Sequence, residues 1–143
     1  THGSWMKKLY GQFRIYRKYG QFINRVEEVD MKNMYLNSKI GLNMHMSFGP
    51  SNLRTFELMA NGVAQVVDCK KGIDEWFDIG KDLLAYETTS EAIELINKLL
   101  KDDDYRKEIA FNGAKKTQEK YTRVQTFANA INLIKKGINN DKI

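Results

Sequence analysis

The sequence predicts an α/β domain in which helices cover both faces of a parallel sheet. Short apolar runs typical of buried strands alternate along the chain with helical patterns, and this alternation indicates parallel strands joined by crossover helices. Three strands are predicted, at residues 40–44, 64–69 and 83–86. Because a doubly wound sheet usually has more strands, we expect a first strand upstream of Thr1 or an irregular strand within residues 9–23.

The helices follow from capping signals and apolar spacing. Residues 30–38 form a predicted short helix with Asp30 as its N-cap. The helix after the first strand ends at Asn61-Gly62, where glycine takes the left-handed C-terminal position. A helical turn is predicted at residues 73–77. The last three helices are predicted to begin at Thr89 or Ser90, at the acidic residues 102–104, and at Arg123.

Size and composition indicate one domain with a buried core. The chain has 143 residues, of which 42% are hydrophobic and 29% charged, as in ordinary globular proteins. No apolar run approaches the roughly 18 to 20 residues of a membrane-spanning helix. We therefore expect a cytoplasmic protein, with attachment to a membrane surface as an alternative. The only cysteine, Cys69, ends a predicted strand and is expected to be a buried, reduced thiol.

The net charge of +5 is concentrated near the start of the chain. Residues 1–43 hold eight Lys or Arg and three acidic residues, and basic and aromatic side chains interleave over residues 7–25. Single-stranded nucleic acid binders use this mixture, and it also suits an anionic membrane surface. The alternative function is therefore a nucleic-acid-binding or anionic-surface-binding module, whose binding would be sensitive to salt and indifferent to Glu57.

The segment SNLRTFELMANG, residues 51–62, predicts a helix that begins at the carboxyl end of a strand and suits a phosphate. Gly49 lets a backbone approach closely, and Pro50 fixes the entry to the helix. Glu57 lies about 7 Å further along the helix, where its carboxylate could accept from the two adjacent hydroxyls of a ribose. A surface pair between Arg54 and Glu57, without any ligand, explains the same spacing.

The sequence resembles a known family in a series of short motifs that follow one another in a fixed order. They are Leu-Asn at 42–43, Asn-Leu-Arg-Thr-Phe-Glu at 52–57 and Ala-Asn-Gly at 60–62, followed by a strand. This series resembles the donor-binding, C-terminal domain of group 1 GT-B glycosyltransferases, and most closely the spore-maturation-protein-like subgroup. His2-Gly3-Ser4-Trp5 is similar to a Gly-x-x-Trp motif of that domain, so the resemblance covers nearly the whole chain.

The resemblance implies a Rossmann-like, three-layer α/β/α domain over residues 1–143 that holds a nucleotide-diphosphate sugar. A second, N-terminal domain would carry the acceptor, which could be a glycan, a lipid or a protein, and nucleic acid is not an expected partner. By the resemblance, Glu57 binds the ribose. The residues matched to the diphosphate and donor sugar are His45, Ser47, Gly49, Ser51, Asn52, Leu53, Arg54 and Thr55.

The resemblance assigns residues to donor binding but none to catalysis. No Asp-x-Asp motif stands beside the helix of residues 51–62, so we expect no tightly bound metal and no resident cofactor besides the donor substrate. A general base is not identifiable and would come from the other domain, so the chain alone is expected to be inactive. Retaining relatives often carry a glutamate where this sequence has Gly49, which leaves the stereochemical course open.

Overall fold

The computed structural model describes residues 2–20, 28–45 and 49–140, and the chain divides into two compact units, residues 1–31 and 32–143. The first unit contains helix α1, His2–Tyr19. Helix α2, Glu28–Leu36, contributes its residues from Lys32 onwards to the second unit. Within the described residues, no helix combines the length and the apolar character needed to cross a membrane.

The irregular strand considered for residues 9–23 is wrong over its described part, because residues 9–19 lie in α1. The reason is visible in the aromatic spacing. Tyr10, Phe13, Tyr16 and Tyr19 recur at every third residue, a spacing that places each successive pair on the same side of a helix but on opposite faces of a strand. All four of these side chains are exposed.

The second unit is built on a three-stranded parallel sheet, as predicted. Its strands are β1, Ile40–Asn43, β2, Ala64–Asp68, and β3, Leu84–Tyr86. They lie side by side in the order β1-β2-β3, and both pairings are parallel. The carboxyl ends of all three strands therefore meet at one edge of the sheet.

The described part of this unit also contains the helices α3, Leu53–Ala60; α4, Thr89–Lys101; α5, Asp103–Lys120; and α6, Arg123–Asn140. A 3₁₀ turn, Ile73–Glu75, stands between β2 and β3. Thr88, one residue before the predicted candidates, caps α4, and Asp102 caps α5 as the acidic cluster suggested. The predicted cap Asp30 lies inside α2, which begins two residues earlier.

Helices cover both faces of the sheet. On one face, Ala64 and Val66 of β2 pack with Ala92, Leu99 and Ile109 from α4 and α5. The other face is covered by a second cluster, in which Val67 and Leu83 pack with Met59 of α3, Ile73 and Phe77. Successive strand residues point to opposite faces, so β2 contributes to both clusters. The predicted three-layer α/β architecture is confirmed.

Helix α5 approaches the rest of the domain closely at Gly113. A Cβ atom there would lie 2.6 Å from the backbone oxygen of Asp82 and 3.1 Å from the side chain of Met59. Contacts below 3.0 Å to a backbone atom require the backbone to shift. Glycine at this position therefore lets α5 pack against the segment before β3.

The prediction of a buried thiol at Cys69 is wrong, because the residue is exposed. Strand β2 ends at Asp68, one residue before the predicted end. Cys69 therefore begins the following loop, where its side chain leaves the core.

Candidate functional site

A buried polar cluster lies where β1 and β2 end and α3 begins. Asn43 is the last residue of β1, Asp68 is the last residue of β2, and Asn52 is the N-cap of α3. His45 and Thr55 complete the cluster, and both are buried. Ligands of open α/β sheets bind at the carboxyl ends of strands, so this cluster borders the place where a ligand is expected.

The side chain of His45 has no solvent exposure and is held by Asp68. Its Nδ1 lies 2.5 Å from Asp68 Oδ1, and the same oxygen accepts the backbone N–H of His45 at 2.9 Å. Lys70 Nζ contacts the other carboxylate oxygen at 3.2 Å. Burial favours a higher pKa for Asp68, but hydrogen bonds from His45 and Lys70 outweigh it and lower the pKa. Because an ionised carboxylate can only accept, Nδ1 of the ring carries a proton.

The start of α3 is tied to β1 by three polar side chains. Asn52 and Thr55 form a capping box, in which Asn52 Oδ1 accepts the backbone N–H of Thr55 at 3.0 Å. Asn43 donates from Nδ2 to Asn52 Oδ1 at 3.0 Å and to Thr55 Oγ1 at 3.1 Å. In return, Asn52 Nδ2 donates to Asn43 Oδ1 at 3.2 Å. These bonds fix the first turn of α3 against the end of β1.

Thr55 joins the two halves of the cluster. Its Oγ1 lies 3.4 Å from His45 Nε2, so a continuous series of polar contacts runs from Asp68 through His45 and Thr55 to Asn52. We call these four residues, together with Asn43, the strand-end network. The network engages the N–H of Thr55, whereas the N–H groups of Leu53 and Arg54, in the first turn of the helix, have no intrahelical acceptor by geometry.

Glu57 lies one turn further along α3 and contacts a tyrosine of α2. Tyr35 Oη donates to Glu57 Oε2 at 3.1 Å, and the positive charge of Arg54 lies close enough to the same phenol to influence its pKa. Burial, followed by the negative charge of Glu57, raises the pKa of Tyr35, and Arg54 opposes this only in part. Among the described residues, Arg54 and Glu57 do not form the direct surface pair that their spacing suggested, and Glu57 accepts from Tyr35 instead.

A cleft of about 680 Å³ runs along α3, and its volume is within the size range of small-molecule sites. Trp76 and Tyr121 stack in it with their ring centroids 5.8 Å apart, and Phe56 packs edge-on against Tyr121 at 5.5 Å. Glu57 lines the cleft together with Ser51 and Asn52 at the start of the helix. Within the described residues, no group of three His, Cys, Asp or Glu side chains could hold a metal ion.

A comparison with known families matches residues 2–132 to the family described as glycosyl transferase-like. The chain belongs to this family. A search of curated proteins gave no match. Membership in the glycosyl transferase-like family implies a sugar donor and an acceptor, and glycosyl transfer as the reaction between them. The match includes α1, so the family gives no support to residues 7–25 as a separate nucleic-acid-binding or anionic-surface-binding module.

The residues matched to the donor occupy three kinds of environment in this glycosyl transferase-like domain. His45, Asn52 and Thr55 belong to the strand-end network. Gly49 and Ser51 are half-buried, and the side chains of Leu53 and Arg54 are exposed at the start of α3. Ser47 lies outside the described residues. The roles of these residues and of Glu57 toward a donor stay predictions.

Sequence reasoning missed Tyr35, Asn43 and Asp68 as members of the site. A signal was available for two of them, because Asn43 and Asp68 are polar residues that end adjacent apolar strands, and parallel strands bring such ends together. Tyr35 gave no such signal. Its hydroxyl meets Glu57 from a different helix, 22 residues away in the sequence.

Proposed function

We propose that this chain is the donor-binding domain of a GT-B glycosyltransferase and holds a nucleotide-diphosphate sugar for transfer to an acceptor. The resemblance to the C-terminal domain of the spore-maturation-protein-like subgroup supports the assignment. The observation that carries it is the position of α3, whose N-cap Asn52 is hydrogen-bonded to Asn43 at the carboxyl end of β1 and which carries Glu57 further along.

The donor fits α3 in the following order. Helix N-terminal N–H groups and the positive end of the helix dipole attract a diphosphate, and Leu53 and Arg54 supply N–H groups without intrahelical acceptors. Glu57 follows the N-cap Asn52 by five residues, about 7 Å along the axis. A carboxylate at that distance can accept from the hydroxyls of a ribose attached to the diphosphate.

Catalysis in this proposal consists mainly of stabilising the leaving group. When the sugar departs, negative charge develops on the diphosphate, and preorganised donors that face this charge lower the barrier. The start of α3 is preorganised because the strand-end network fixes it to two strands. The exposed guanidinium of Arg54 adds a positive charge beside it. The acceptor and the general base would belong to a second domain, so this chain binds the donor without turning it over.

Calorimetric titration with UDP, GDP, ADP and dTDP tests the proposal. One nucleotide should bind saturably to the wild-type chain, and Glu57→Ala should weaken it at least about tenfold, because hydrogen bonds to a charged group contribute roughly 1.5–3 kcal/mol each. Glu108→Ala, which removes an exposed carboxylate from α5, is the matched control and should bind like the wild type.

Two results would contradict the proposal. In one, a folded wild-type sample binds none of the four nucleotides. In the other, the affinity falls steeply with salt, is lost on neutralising Arg14 and Arg17 of α1, and does not respond to Glu57→Ala. That second pattern is the one expected of the basic and aromatic module at residues 7–25, because contacts between cations and phosphates release counterions.

A further inference from the structure

The contact between Tyr35 and Glu57 constrains a side chain that is otherwise flexible. Tyr35 is 5% exposed, so its ring is fixed by packing, and its hydroxyl reaches Glu57 Oε2 at 3.1 Å. A glutamate on a helix surface samples several rotamers and loses this freedom when it binds a ligand. A buried donor that already holds one carboxylate oxygen removes part of that loss before any ligand arrives.

The polarity of the contact follows from the groups involved. A phenol has one proton to donate, and an ionised carboxylate can only accept. Arg54, the other charged group near the phenol, has donors and no acceptor, so of the two only Glu57 can accept the proton of Tyr35. The proton of Tyr35 is thus directed to Glu57. Burial and the adjacent carboxylate raise the pKa of Tyr35, which keeps this proton in place at neutral pH.

The remaining acceptor sites of Glu57 are then oriented in a defined direction. With Oε2 engaged by Tyr35, Oε1 and the second lone pair of Oε2 stay available to a ligand. Glu57 is half-buried, so part of its surface stays accessible. Two adjacent hydroxyl donors match these acceptor sites, whereas a single hydroxyl leaves one of them without a ligand partner.

We infer that Tyr35 is a positioning residue that sets Glu57 to select a ribose with both hydroxyls over a 2′-deoxyribose. The inference rests on the proposed function, since it concerns the ribose of the nucleotide donor. Tyr35 acts through Glu57 and does not itself touch the sugar. Selectivity arises because the fixed carboxylate loses one of two hydrogen bonds when the 2′-hydroxyl is absent.

The test compares ribonucleotides with their 2′-deoxy counterparts. The wild-type chain and the variants Tyr35→Phe, Glu57→Gln and Tyr35→Phe/Glu57→Gln are titrated calorimetrically with UDP, GDP and ADP and with the three 2′-deoxynucleoside diphosphates. Tyr35→Phe keeps the buried ring and removes only the hydroxyl. The matched control is Tyr105→Phe, which removes a tyrosine hydroxyl that donates to the backbone oxygen of Gly80 at 3.4 Å. Thermal midpoints show that each variant is folded.

We expect Tyr35→Phe to weaken the ribonucleotide roughly three- to tenfold, the usual effect of losing one hydrogen bond, and to change 2′-deoxynucleotide binding much less. The ratio of the two affinities should therefore fall, while Tyr105→Phe leaves it unchanged. In the Glu57→Gln background, Tyr35→Phe should have no further effect on the ratio. A general loss of structure would instead weaken both ligands equally.

The failures of the two proposals look different. If the wild type prefers a ribonucleotide, Glu57→Gln abolishes that preference and Tyr35→Phe leaves it intact, the inference about Tyr35 is overturned and donor binding stands. Additive effects of the two substitutions would overturn it as well. If the folded wild type binds none of the six nucleotides, both the proposed function and this inference are overturned.

Discussion

Replacing Asp68 with alanine should destabilise the domain strongly, because Asp68 satisfies two donors of His45. Its Oδ1 accepts the backbone N–H of His45 at 2.9 Å and the Nδ1–H of the ring at 2.5 Å. The ring has no solvent exposure, so its Nδ1–H cannot donate to bulk water instead. Asp68→Ala therefore leaves two donors without their acceptor at the carboxyl ends of β1 and β2.

The size of the effect follows from the burial of the two partners. A buried donor left without a partner costs about 1–3 kcal/mol. The Asp68 side chain keeps 18% of its exposure, so water can enter the vacated space and satisfy part of the loss. We expect the free energy of unfolding to fall by about 2–4 kcal/mol, a large share of the roughly 5–15 kcal/mol of a typical domain.

Urea unfolding followed by circular dichroism measures this difference, with the slope checked for two-state behaviour. Lys70→Ala is the matched control, since it removes the half-exposed partner of the same carboxylate at 3.2 Å. An ion pair of that kind contributes less than about 1 kcal/mol. If Asp68→Ala costs no more than Lys70→Ala, the His45 donors do not depend on Asp68 and the reasoning is refuted.

Two further predictions concern acid stability and helix packing. The folded pKa of Asp68 is below its ordinary value of 3.8, so the stability that Asp68 contributes is complete above pH 3.8 and is lost as the pH falls through the lower folded pKa. Urea midpoints measured between pH 5 and 2.5 should therefore fall less steeply for Asp68→Asn than for the wild type. Parallel curves for the two proteins would contradict this prediction. Gly113→Ala should lower the free energy of unfolding by about 1–3 kcal/mol, because its Cβ would lie 2.6 Å from a backbone oxygen. Gly137→Ala in α6, where a Cβ meets nothing within 4 Å, should instead stabilise by about 0.5–1 kcal/mol, and equal effects of the two substitutions would contradict the packing argument.

Local patterns were sufficient to predict the three strands of the sheet and the helices α3 to α6, but not α1 or the start of α2. The apolar run of β2 correctly predicted a strand, and the Asn-Gly at 61–62 correctly predicted the end of α3. Both predictions depend only on residues that are adjacent in the sequence. Element ends were less accurate, and the one-residue error at β2 had a consequence. It assigned Cys69 to the core, whereas the strand stops at Asp68 and the thiol is exposed.

The strand-end network could be predicted only in part. The capping box of Asn52 and Thr55 is local, and the helix start was expected at Ser51 or Asn52. The pairing of His45 with Asp68 joins residues 23 positions apart, and it depends on which strands are neighbours. The resemblance implied a donor role for His45, which stays a prediction, but it did not indicate that the ring is buried and held by Asp68.

The contact between Tyr35 and Glu57 could not be predicted from the sequence, for a related reason. A tyrosine in a short helix has many possible neighbours, and the relevant one lies on an element that is not adjacent in sequence. The spacing of Arg54 and Glu57 suggested a direct ion pair, which a helix alone would favour. The phenol of Tyr35 becomes the partner of Glu57 only once α2 and α3 are placed in space.

The separation between the strand-end network and the exposed start of α3 has a consequence for how this domain can evolve. A change at Asn43, His45 or Asp68 leaves buried partners unsatisfied, so tolerated variants require several simultaneous substitutions. Leu53 and Arg54 stand on the same helix turn, but their side chains are exposed, and surface substitutions typically change stability by less than about 0.5 kcal/mol. A lineage can therefore alter the surface of this turn one residue at a time while inheriting its geometry unchanged.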